Sequence, residues 1–582
     1  MKKNGVTDMK KQIAAILCSA LVLTFAGCNT AVPENSGISS AADAASSTES
    51  SKDTSDTGKI KDESSEETKT TSTSSEYTEK LFGKDILEIS ITTEEENWNN
   101  LIENAGEKPW IECDITIDGV TWENVGIKTK GNTSLQQLVN DESTRYSLKV
   151  NFGKYAEDQT CYGLDKLALN NIYADSTYLK EYMSYDLMSY MQVPSSLCTF
   201  ANITVNGDHY GLFLAVEDAD DSYLDRIYGS DSNVNGYKPE SMDMDGMPDG
   251  GKMPQMPDQD GNNDRPTPPG GDNSDFPQMP DRSGFPQMPD QDGNNDRPTP
   301  PGGDDSNMPQ MPGGGGMPGG MDGGRDGVDL TYIDDDPASY SNIFDNSIKK
   351  TEDEDKQRLI SSLKNISSGE KLEESINIDE ILRYTACNVF LVNLDSYLSS
   401  NCHNYILTEL DGQLSMLPWD YNLSFGTYQC DSADTAVNYA IDTVFNGVSE
   451  EERPIIAKLL EKEEYREKYH QYLREIAEKY VQSGRFAETV DKITSVIDSY
   501  VKEDTTSFDG YDAYIEGIEA LKKLVELRAQ SVLGQLDGSI PSTAEEQKDS
   551  NKLVDVSSVD LKKLGTMNAG REGNKSMPKP GN

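Results

Sequence analysis

The segment Phe390–Gly426 constrains the fold most, because two apolar runs within it each end in a carboxylate. Asp395 follows the run Phe390–Leu394, and Asp420 follows the run Leu414–Trp419. Such runs predict strand ends and hairpin turns around a polar loop. Carboxylates in a loop that also carries amide side chains are oxygen ligands suited to Mg²⁺ or Mn²⁺, and one of them could instead accept a proton from a hydroxyl group. From the residues alone, two Asp residues that cap helices and form turns remain an equal interpretation.

Two tracts of the 582-residue chain cannot contribute to a hydrophobic core. Residues 29–78 are mostly Ser, Thr, Asp, Glu and Lys, and residues 241–327 are mostly Gly, Pro, Met, Asp and Asn. The second tract contains PQMPDQDGNNDRPTPPGGD twice, from Pro254 and from Pro286, and this repeat has no apolar face. We therefore predict a disordered tether and a disordered insertion. The insertion could alternatively be a binding arm for a surface partner.

The formal net charge of −50 limits the partners that the chain can bind. A surface of this charge repels a phosphate backbone, so we predict no nucleic-acid partner. A basic partner, or one bridged by a metal ion, is easier to accommodate.

The N-terminus has the layout of a bacterial export signal. Basic residues precede an apolar run, Ile13–Gly27, which is too short for a comfortable membrane span and leads into Cys28. The sequence Ala26-Gly27-Cys28 resembles a lipobox, in which the cysteine receives lipid. Residues 1–28 are therefore predicted to be a signal peptide, and the mature protein is expected to be lipid-anchored through Cys28 on the extracellular face of the cell membrane. Because Phe25 stands where Leu is usual, a freely secreted form stays open.

The cysteines beyond the leader show no CxxC spacing typical of a zinc site. Buried free thiols are favoured over the many possible disulfide pairings for the remaining six, which are Cys113, Cys161, Cys198, Cys387, Cys402 and Cys430.

The first half of the globular sequence predicts strands and a small cationic loop. Residues 125–134 indicate a strand that runs into a polar loop, whose N–H groups, with Lys128 or Lys130, could contact a phosphate group. In the segment Tyr146–Phe152 apolar residues alternate with polar ones, and Lys149 lies on the polar face. A solvated strand lysine is the simpler interpretation of Lys149.

A helix and a hairpin follow. Asp175-Ser176 can cap a helix in which Glu181 lies away from the apolar stripe. The turn Asn206-Gly207 predicts a hairpin whose second strand ends at Glu217-Asp218. Apolar residues at three- and four-residue steps predict the later helices, at residues 353–363, 378–390, 453–480, 486–501 and 511–536.

Three short motifs resemble the spore coat protein H (CotH) kinase-like family. They are Asn393-Leu394-Asp395-Ser396-Tyr397, His403-Asn404-Tyr405 and Leu417-Pro418-Trp419-Asp420-Tyr421-Asn422, in the family's order and spacing. The resemblance implies that Asp395 is the catalytic-loop Asp of an atypical protein kinase and that Asp420 is its metal-binding Asp, with Asn404 or Asn401 as the second ligand of Mg²⁺ or Mn²⁺. It also makes Lys149 and Glu181 the candidate pair that grips ATP, with Lys130 as a further phosphate contact and Glu217 at the hinge that touches adenine.

The fold implied by the resemblance is an α+β, two-lobed, kinase-like fold. Its small β-rich lobe and hinge would span residues 79–240, and its larger, mainly helical lobe would span residues 328–538. A polar tail is predicted over residues 539–582.

The function implied by the resemblance is transfer of the ATP γ-phosphate to Ser or Thr of exported or surface proteins, including Ser/Thr-rich ones. The alternative is a kinase-fold lipoprotein with weak or absent activity that acts as a scaffold on the cell surface or spore coat, since little ATP is available outside the cell. A glycosidase that uses Asp395 and Asp420 is disfavoured, because sugar clefts normally expose more Trp than the four in this chain.

Overall fold

The computed structural model describes residues 76–240, 327–565 and 567. Several predicted features lie outside these residues: the signal peptide with Cys28, nearly all of the tether, the repeat insertion, and the end of the polar tail. The described residues contain both helices and strands, so the α+β prediction is confirmed. No helix in this part of the chain is long and apolar enough to cross a membrane.

The described residues form ten strands. They are β1 Ile86–Thr92, β2 Ile111–Ile117, β3 Val120–Thr129, β4 Leu148–Asn151, β5 Lys166–Asn170, β6 Cys198–Val205, β7 Asp208–Glu217, β8 Asn235–Tyr237, β9 Tyr405–Leu410 and β10 Gln413–Pro418. The predicted hairpin turn is confirmed, because Asn206 and Gly207 have φ angles of 51° and 90°.

Seven strands close into a barrel in the order β1-β2-β3-β4-β5-β7-β6. The closing pair, β1 with β6, is parallel, and the other neighbours are antiparallel. Alternate residues of each strand fill the barrel, for example Leu87, Ile89 and Ile91 of β1. The sequence predicts most of these strands but not their closure, because the pairing of β1 with β6 joins residues more than 100 positions apart.

The helices lie mostly in the second half of the chain. They are α1 Glu76–Lys80, α2 Glu95–Glu103, α3 Thr133–Asn140, α4 Lys180–Tyr190, α5 Asp221–Tyr228, α6 Ser341–Phe344, α7 Asp353–Ser368, α8 Leu372–Ser375, α9 Ile378–Leu391, α10 Ala433–Val437, α11 Pro454–Leu460, α12 Glu463–Glu475, α13 Arg485–Glu503, α14 Gly510–Leu536 and α15 Ala544–Gln547. A π-helical segment, Ile476–Gln482, continues α12. Short 3₁₀ turns lie at Ala105–Glu107, Pro337–Tyr340, Glu450–Glu452 and Leu561–Leu564.

Helix α14 joins two segments of the helical region through a buried cation. The guanidinium of Arg528 donates to the main-chain oxygens of Val389 and Phe390 near the end of α9, at 2.9 and 3.3 Å, and to those of Val437 and Tyr439, at 3.2 and 2.6 Å. Burial lowers the pKa of Arg528 to about 10, which still leaves it charged at neutral pH. These hydrogen bonds therefore fix the end of α9, from which the chain continues into the segment that carries Asp395.

The prediction of buried free thiols is confirmed for Cys113, Cys161 and Cys387. Burial raises the pKa of Cys113 to about 12 and lifts those of the other two as well, so these thiols are inert packing groups.

A buried ion pair links the barrel to the helical region. Arg145 precedes β4, and its Nη1 lies 2.7 Å from Oδ2 of Asp504, just after α13. The same guanidinium donates to the main-chain oxygen of Leu212 at 2.6 Å, while the N–H of Leu212 donates to Asp504 at 3.0 Å. These contacts satisfy both charges out of water.

Replacing Arg145 with Met is expected to lower the free energy of unfolding by about 3–5 kcal/mol, because it leaves the Asp504 carboxylate buried without its cation. Urea denaturation measures the change. The exposed pair Lys350–Glu352 provides the control, since Lys350→Met removes a solvated contact and is expected to change stability by less than about 0.5 kcal/mol. Equal losses in the two variants would contradict the assignment of Arg145 as an anchor.

Candidate functional site

A cleft of about 340 Å³ brings the barrel and the Asp395–Asp420 region together. Its lining contains both lysines and acidic residues, although the net charge of the chain is −50. The lysines are Lys108, Lys128, Lys130, Lys149 and Lys238, and the acids are Glu181, Asp218, Glu240, Asp395 and Asp420. This mixture suits an anionic ligand that carries or meets a cation.

Three side-chain donors fix the carboxylate of Asp395. Its Oδ1 accepts from Nδ2 of Asn401 at 2.8 Å and lies 3.0 Å from Nε2 of His403, and its Oδ2 accepts from Nδ2 of Asn404 at 3.0 Å. Burial opposes protonation of His403, but the hydrogen bond and charge of Asp395 outweigh it and raise the His403 pKa. Asp395 is thus held in one orientation at the cleft wall.

The backbone around Asp395 is shaped by a left-handed helix end and a buried arginine. The run Phe390–Leu394 does not form the predicted strand end, because Phe390 and Leu391 are the last residues of α9 and Val392, with a φ of 48°, is its left-handed cap. Arg453, which is 1% exposed, donates to the main-chain oxygens of Tyr397 and Ser399, both at 2.6 Å. The loop therefore keeps its shape without regular secondary structure.

Asp420 lies directly after β10 and Trp419, as the sequence predicts. Its φ is 58°, and its N–H donates to Oη of Tyr185 at 3.2 Å. The same tyrosine donates to Oε1 of Glu181 at 3.2 Å, and Nδ2 of Asn170 donates to Oε2 of Glu181 at 2.8 Å. Tyr185 therefore couples the Asp420 backbone to the carboxylate of Glu181.

Glu181 and Asp420 form a centre of excess negative charge. Burial, together with the charge of Asp420, raises the pKa of Glu181 to about 7, while Lys130 acts in the opposite direction. Nζ of Lys130 donates to Oδ1 of Asn170 at 3.0 Å. Lys130 is therefore the cation that partly offsets the negative charge of Glu181 and Asp420.

The expected pairing of Lys149 with Glu181 is wrong. Nζ of Lys149 instead forms a salt bridge with Oδ2 of Asp218. The barrel explains this, because Lys149, Ala168 and Val216 lie in one row across β4, β5 and β7. Asp218 is two residues beyond Val216 and therefore lies on the same face as Lys149, where the long lysine side chain reaches it past Ala168. Lys149 and Glu181 both line the cleft, and their roles in binding a cofactor stay predictions.

The structure places the Glu217 side chain outside the cleft, so the position of Glu217 at the hinge that touches adenine stays a prediction. Glu217 is 0% exposed and is not among the cleft-lining residues that the structure describes. Its oxygens accept from Nε and Nη2 of Arg226 at 2.7 and 2.5 Å, from Oη of Tyr77 at 2.6 Å and from the N–H of Leu197 at 3.0 Å. Side chains alternate along an extended chain, so Asp218, the residue after β7, faces the cleft while Glu217 faces away from it.

Lys238 lines the cleft without any signal in the sequence that points to a functional role, and it lies over Trp419, which belongs to one of the three motifs. Nζ of Lys238 lies 3.6 Å from the ring centroid of Trp419, and Nζ of Lys130 lies 5.5 Å from the same centroid. Burial lowers the pKa of Lys238 to about 8, with Lys149 and Lys130 contributing and Asp218 and Glu240 opposing. Lys238 lies at the edge of the low-complexity tract, where composition gives no reason to expect a half-buried lysine in a cleft.

A divalent cation fits this site only if a bound phosphate group supplies some of the oxygen atoms that coordinate it. Within residues 76–240 and 327–565 no group of three or more His, Cys, Asp or Glu side chains could hold a metal. Asp420 and Asn404 both line the cleft, and since Nδ2 of Asn404 is engaged by Asp395, the amide oxygen is the atom left for a cation. One carboxylate and one amide, completed by phosphate oxygens and water, match the way Mg²⁺ is usually held.

Replacing Glu217 with Gln is expected to lower the free energy of unfolding by about 2–3 kcal/mol, because the charged hydrogen bonds to Arg226 are weakened. The affinity for adenine nucleotides should not change, since the side chain lies outside the cleft. Chemical denaturation and calorimetric titration measure the two effects. A loss of affinity without a loss of stability would restore Glu217 as a ligand contact.

Comparison with known families agrees with the geometry of the cleft. The model of the family described as CotH kinase protein matches residues 127–275 and 322–532, which include Lys130, Lys149, Asp395, Asn404 and Asp420. No curated protein matches the sequence. Because the family match covers more than half of the chain, this protein belongs to the CotH kinase family.

Proposed function

We propose that this protein is an ATP-dependent protein kinase that transfers the γ-phosphate to Ser or Thr of exported or surface proteins. The observation that carries the proposal is the position of Asp395, which faces the same cavity as Asp420 and the cleft lysines. In this proposal the barrel is the small lobe of a two-lobed, kinase-like fold, and the helical region is the large lobe. Family membership supports it.

The cleft lysines would bind the triphosphate of ATP. Lys149 lies beside Asp218, Lys130 beside Glu181 and Asp420, and Lys238 over Trp419, so the cationic groups are spread along the cleft. Asp218 takes the place that the resemblance assigns to Glu181 as the partner of the strand lysine. Glu181 instead keeps Lys130 near Asp420.

Asp420 and the amide oxygen of Asn404 would hold Mg²⁺ or Mn²⁺. When bound, the ion supplies positive charge to the phosphate oxygens. Asp420 and Asn404 both line the cleft that the lysines share, which supports this assignment.

Asp395 would orient the acceptor hydroxyl and take its proton. Three donors already hold its carboxylate, which leaves lone-pair capacity for one further hydrogen bond from Ser or Thr. The hydroxyl oxygen then forms a bond to the γ-phosphorus, the bond to ADP breaks, and the proton passes to Asp395. The geometry favours positioning as the main contribution of this residue.

We further propose that the protein works at the outer face of the cell membrane. A lipid on Cys28 and the tether of residues 29–78 would hold the kinase region there, and surface proteins rich in Ser and Thr would be its substrates. These features rest on the sequence alone, because they fall mostly outside the described residues.

The alternative function is a scaffold of the cell surface or spore coat without turnover. The salt bridge between Lys149 and Asp218 favours it, because this bridge occupies the lysine that the kinase hypothesis assigns to ATP. Transfer of the γ-phosphate, and not ATP binding alone, separates the two functions.

Asp395→Ala and Asp420→Ala are each expected to reduce transfer of label from γ-labelled ATP by about 100-fold or more, through loss of the acceptor-orienting group and of the metal ligand respectively. Transfer to an added Ser/Thr-rich protein is measured with Mg²⁺ and with Mn²⁺. Asp411→Asn is the matched control, since Asp411 is an exposed turn residue with φ of 53°, which Asn tolerates. A folded wild type that binds ATP without transferring label would favour the scaffold.

Affinity for ATP is expected to fall as the pH rises from about 7 to about 9, by up to roughly tenfold. Lys238 titrates near pH 8 in the free protein, and a bound triphosphate would raise its pKa, so the complex holds more protons than the free protein in this range. Calorimetric titration across the range provides the measurement. Lys238→Arg should remove most of the slope, because an arginine stays charged, and an unchanged slope would argue against a phosphate contact.

A further inference from the structure

The C-terminal segment departs from the polar tail that its composition predicts. Within residues 539–565 several apolar side chains are buried, and they are Ile540, Val554, Leu561 and Leu564. The carbonyl oxygen of Leu564 accepts from the N–H of Ser176 at 3.1 Å. Met567 lines the cleft together with Ile172 and Tyr173. The end of the described chain therefore runs along the start of α4 and reaches the candidate site.

One buried lysine connects this segment to the residues before α4 and to the loop after Asp420. Nζ of Lys180, the first residue of α4, donates to the main-chain oxygens of Ala174 and Gly565 at 2.7 and 3.0 Å and to Oγ1 of Thr427 at 2.8 Å. Lys180 is 0% exposed. Its three donor hydrogens thus meet three acceptors from three different parts of the chain.

Lys180 and its acceptor Thr427 lie close in the chain to residues of the proposed active site. Lys180 directly precedes Glu181, and Thr427 lies in the loop that follows Asp420. A second contact joins the same two elements, because Oγ of Ser184 and Oγ of Ser424 are 2.8 Å apart. The C-terminal segment is therefore bonded to the point where α4 meets the Asp420 loop.

Gly565 allows this close approach. Its φ is 76°, and a Cβ added there would lie 2.7 Å from the backbone N of Ser176 and 2.8 Å from the carbonyl oxygen of Ala174. Both are backbone atoms that cannot rotate away. Any larger residue would push the segment off the start of α4.

We infer that Lys180 and the C-terminal segment Leu561–Gly565 form a positioning element that sets the place of Glu181 relative to Asp420. Lys180 and Gly565 do not touch the ligand in this arrangement. They act through α4 and the Asp420 loop, by holding the ammonium group between the Gly565 and Thr427 acceptors. The inference rests on the proposed function for its nucleotide readout, but the underlying contacts are independent of it.

The test compares Lys180→Met and Gly565→Ala with Gly538→Ala in the full-length chain. Gly538 has a φ of 78° and nothing within 4 Å of an added Cβ, so this control carries the same backbone strain without a collision. We expect affinity for ATP with Mg²⁺ to fall about tenfold in the first two variants and to stay unchanged in the control, and a tenfold change corresponds to about 1.4 kcal/mol. Faster amide hydrogen exchange over residues 180–190, with the barrel strands unchanged, is expected in the same two variants.

A milder pair covers the case in which Lys180→Met or Gly565→Ala fails to fold. Thr427→Val removes one acceptor of Lys180 at nearly constant volume, and Thr427→Ser keeps it. Thr427→Val should weaken nucleotide binding and speed exchange at the start of α4, and Thr427→Ser should restore both.

The inference is overturned if the variants match the Gly538→Ala control in affinity and exchange, or if all amides of the protein exchange faster together. Failure of the wild type to bind ATP would count against the proposed function. The exchange measurement would still decide the inference.

Discussion

Three buried arginines that donate to main-chain oxygens hold the irregular segments of this protein in place. Arg145 bonds the carbonyl groups of Asn171 and Leu212, Arg453 those of Tyr397 and Ser399, and Arg528 those at the end of α9 and around Tyr439. A loop that leaves the surface has carbonyl groups without a helical or sheet partner, and each such group costs free energy unless a donor reaches it. A guanidinium offers five donors in one plane, so one side chain can satisfy several of them. The shape of the segment that carries Asp395 depends on this interaction.

The cleft shows how charge is arranged around that fixed backbone. Asp395 has three donors of its own, whereas Asp420 has a hydrogen bond from its backbone and shares the cation Lys130 with Glu181. The two acids are therefore unlike in environment, which suits a division of labour between an orienting group and a cation ligand. The lysines lie where a polyanion would need them, although Lys149 is paired with Asp218. Binding of a phosphate ligand would require a rearrangement of that salt bridge.

Much of the fold can be predicted from the sequence, because the patterns that specify helices and strands are local. Alternation predicts β4, the turn Asn206-Gly207 predicts the β6–β7 hairpin whose second strand ends at Glu217, and the three-to-four-residue period predicts α7, α9, α13 and α14. Asp395 and Asp420 can be predicted in the same way, since each directly follows an apolar run. Glu217 shows the limit, because adjacent residues at the end of a strand face opposite ways and only the packed barrel reveals that Asp218 takes the cleft side. The C-terminal segment shows another limit, since its four buried apolar residues are too sparse to form a periodic pattern.

The sequence by itself determined the helices and most strands, the two acids Asp395 and Asp420, and the family to which the chain belongs, because all of these depend on residues that are near each other along the chain. Only the tertiary structure determined which charged groups form pairs. Pairing of β7 with β5 brings Asp218 within reach of Lys149, and the return of the chain end past α4 gives Lys180 the acceptor Gly565. The reason is physical: an ion pair or a buried ammonium needs its partner within a few ångströms in space, and strand pairing and core packing set that distance at sequence separations that no local pattern records.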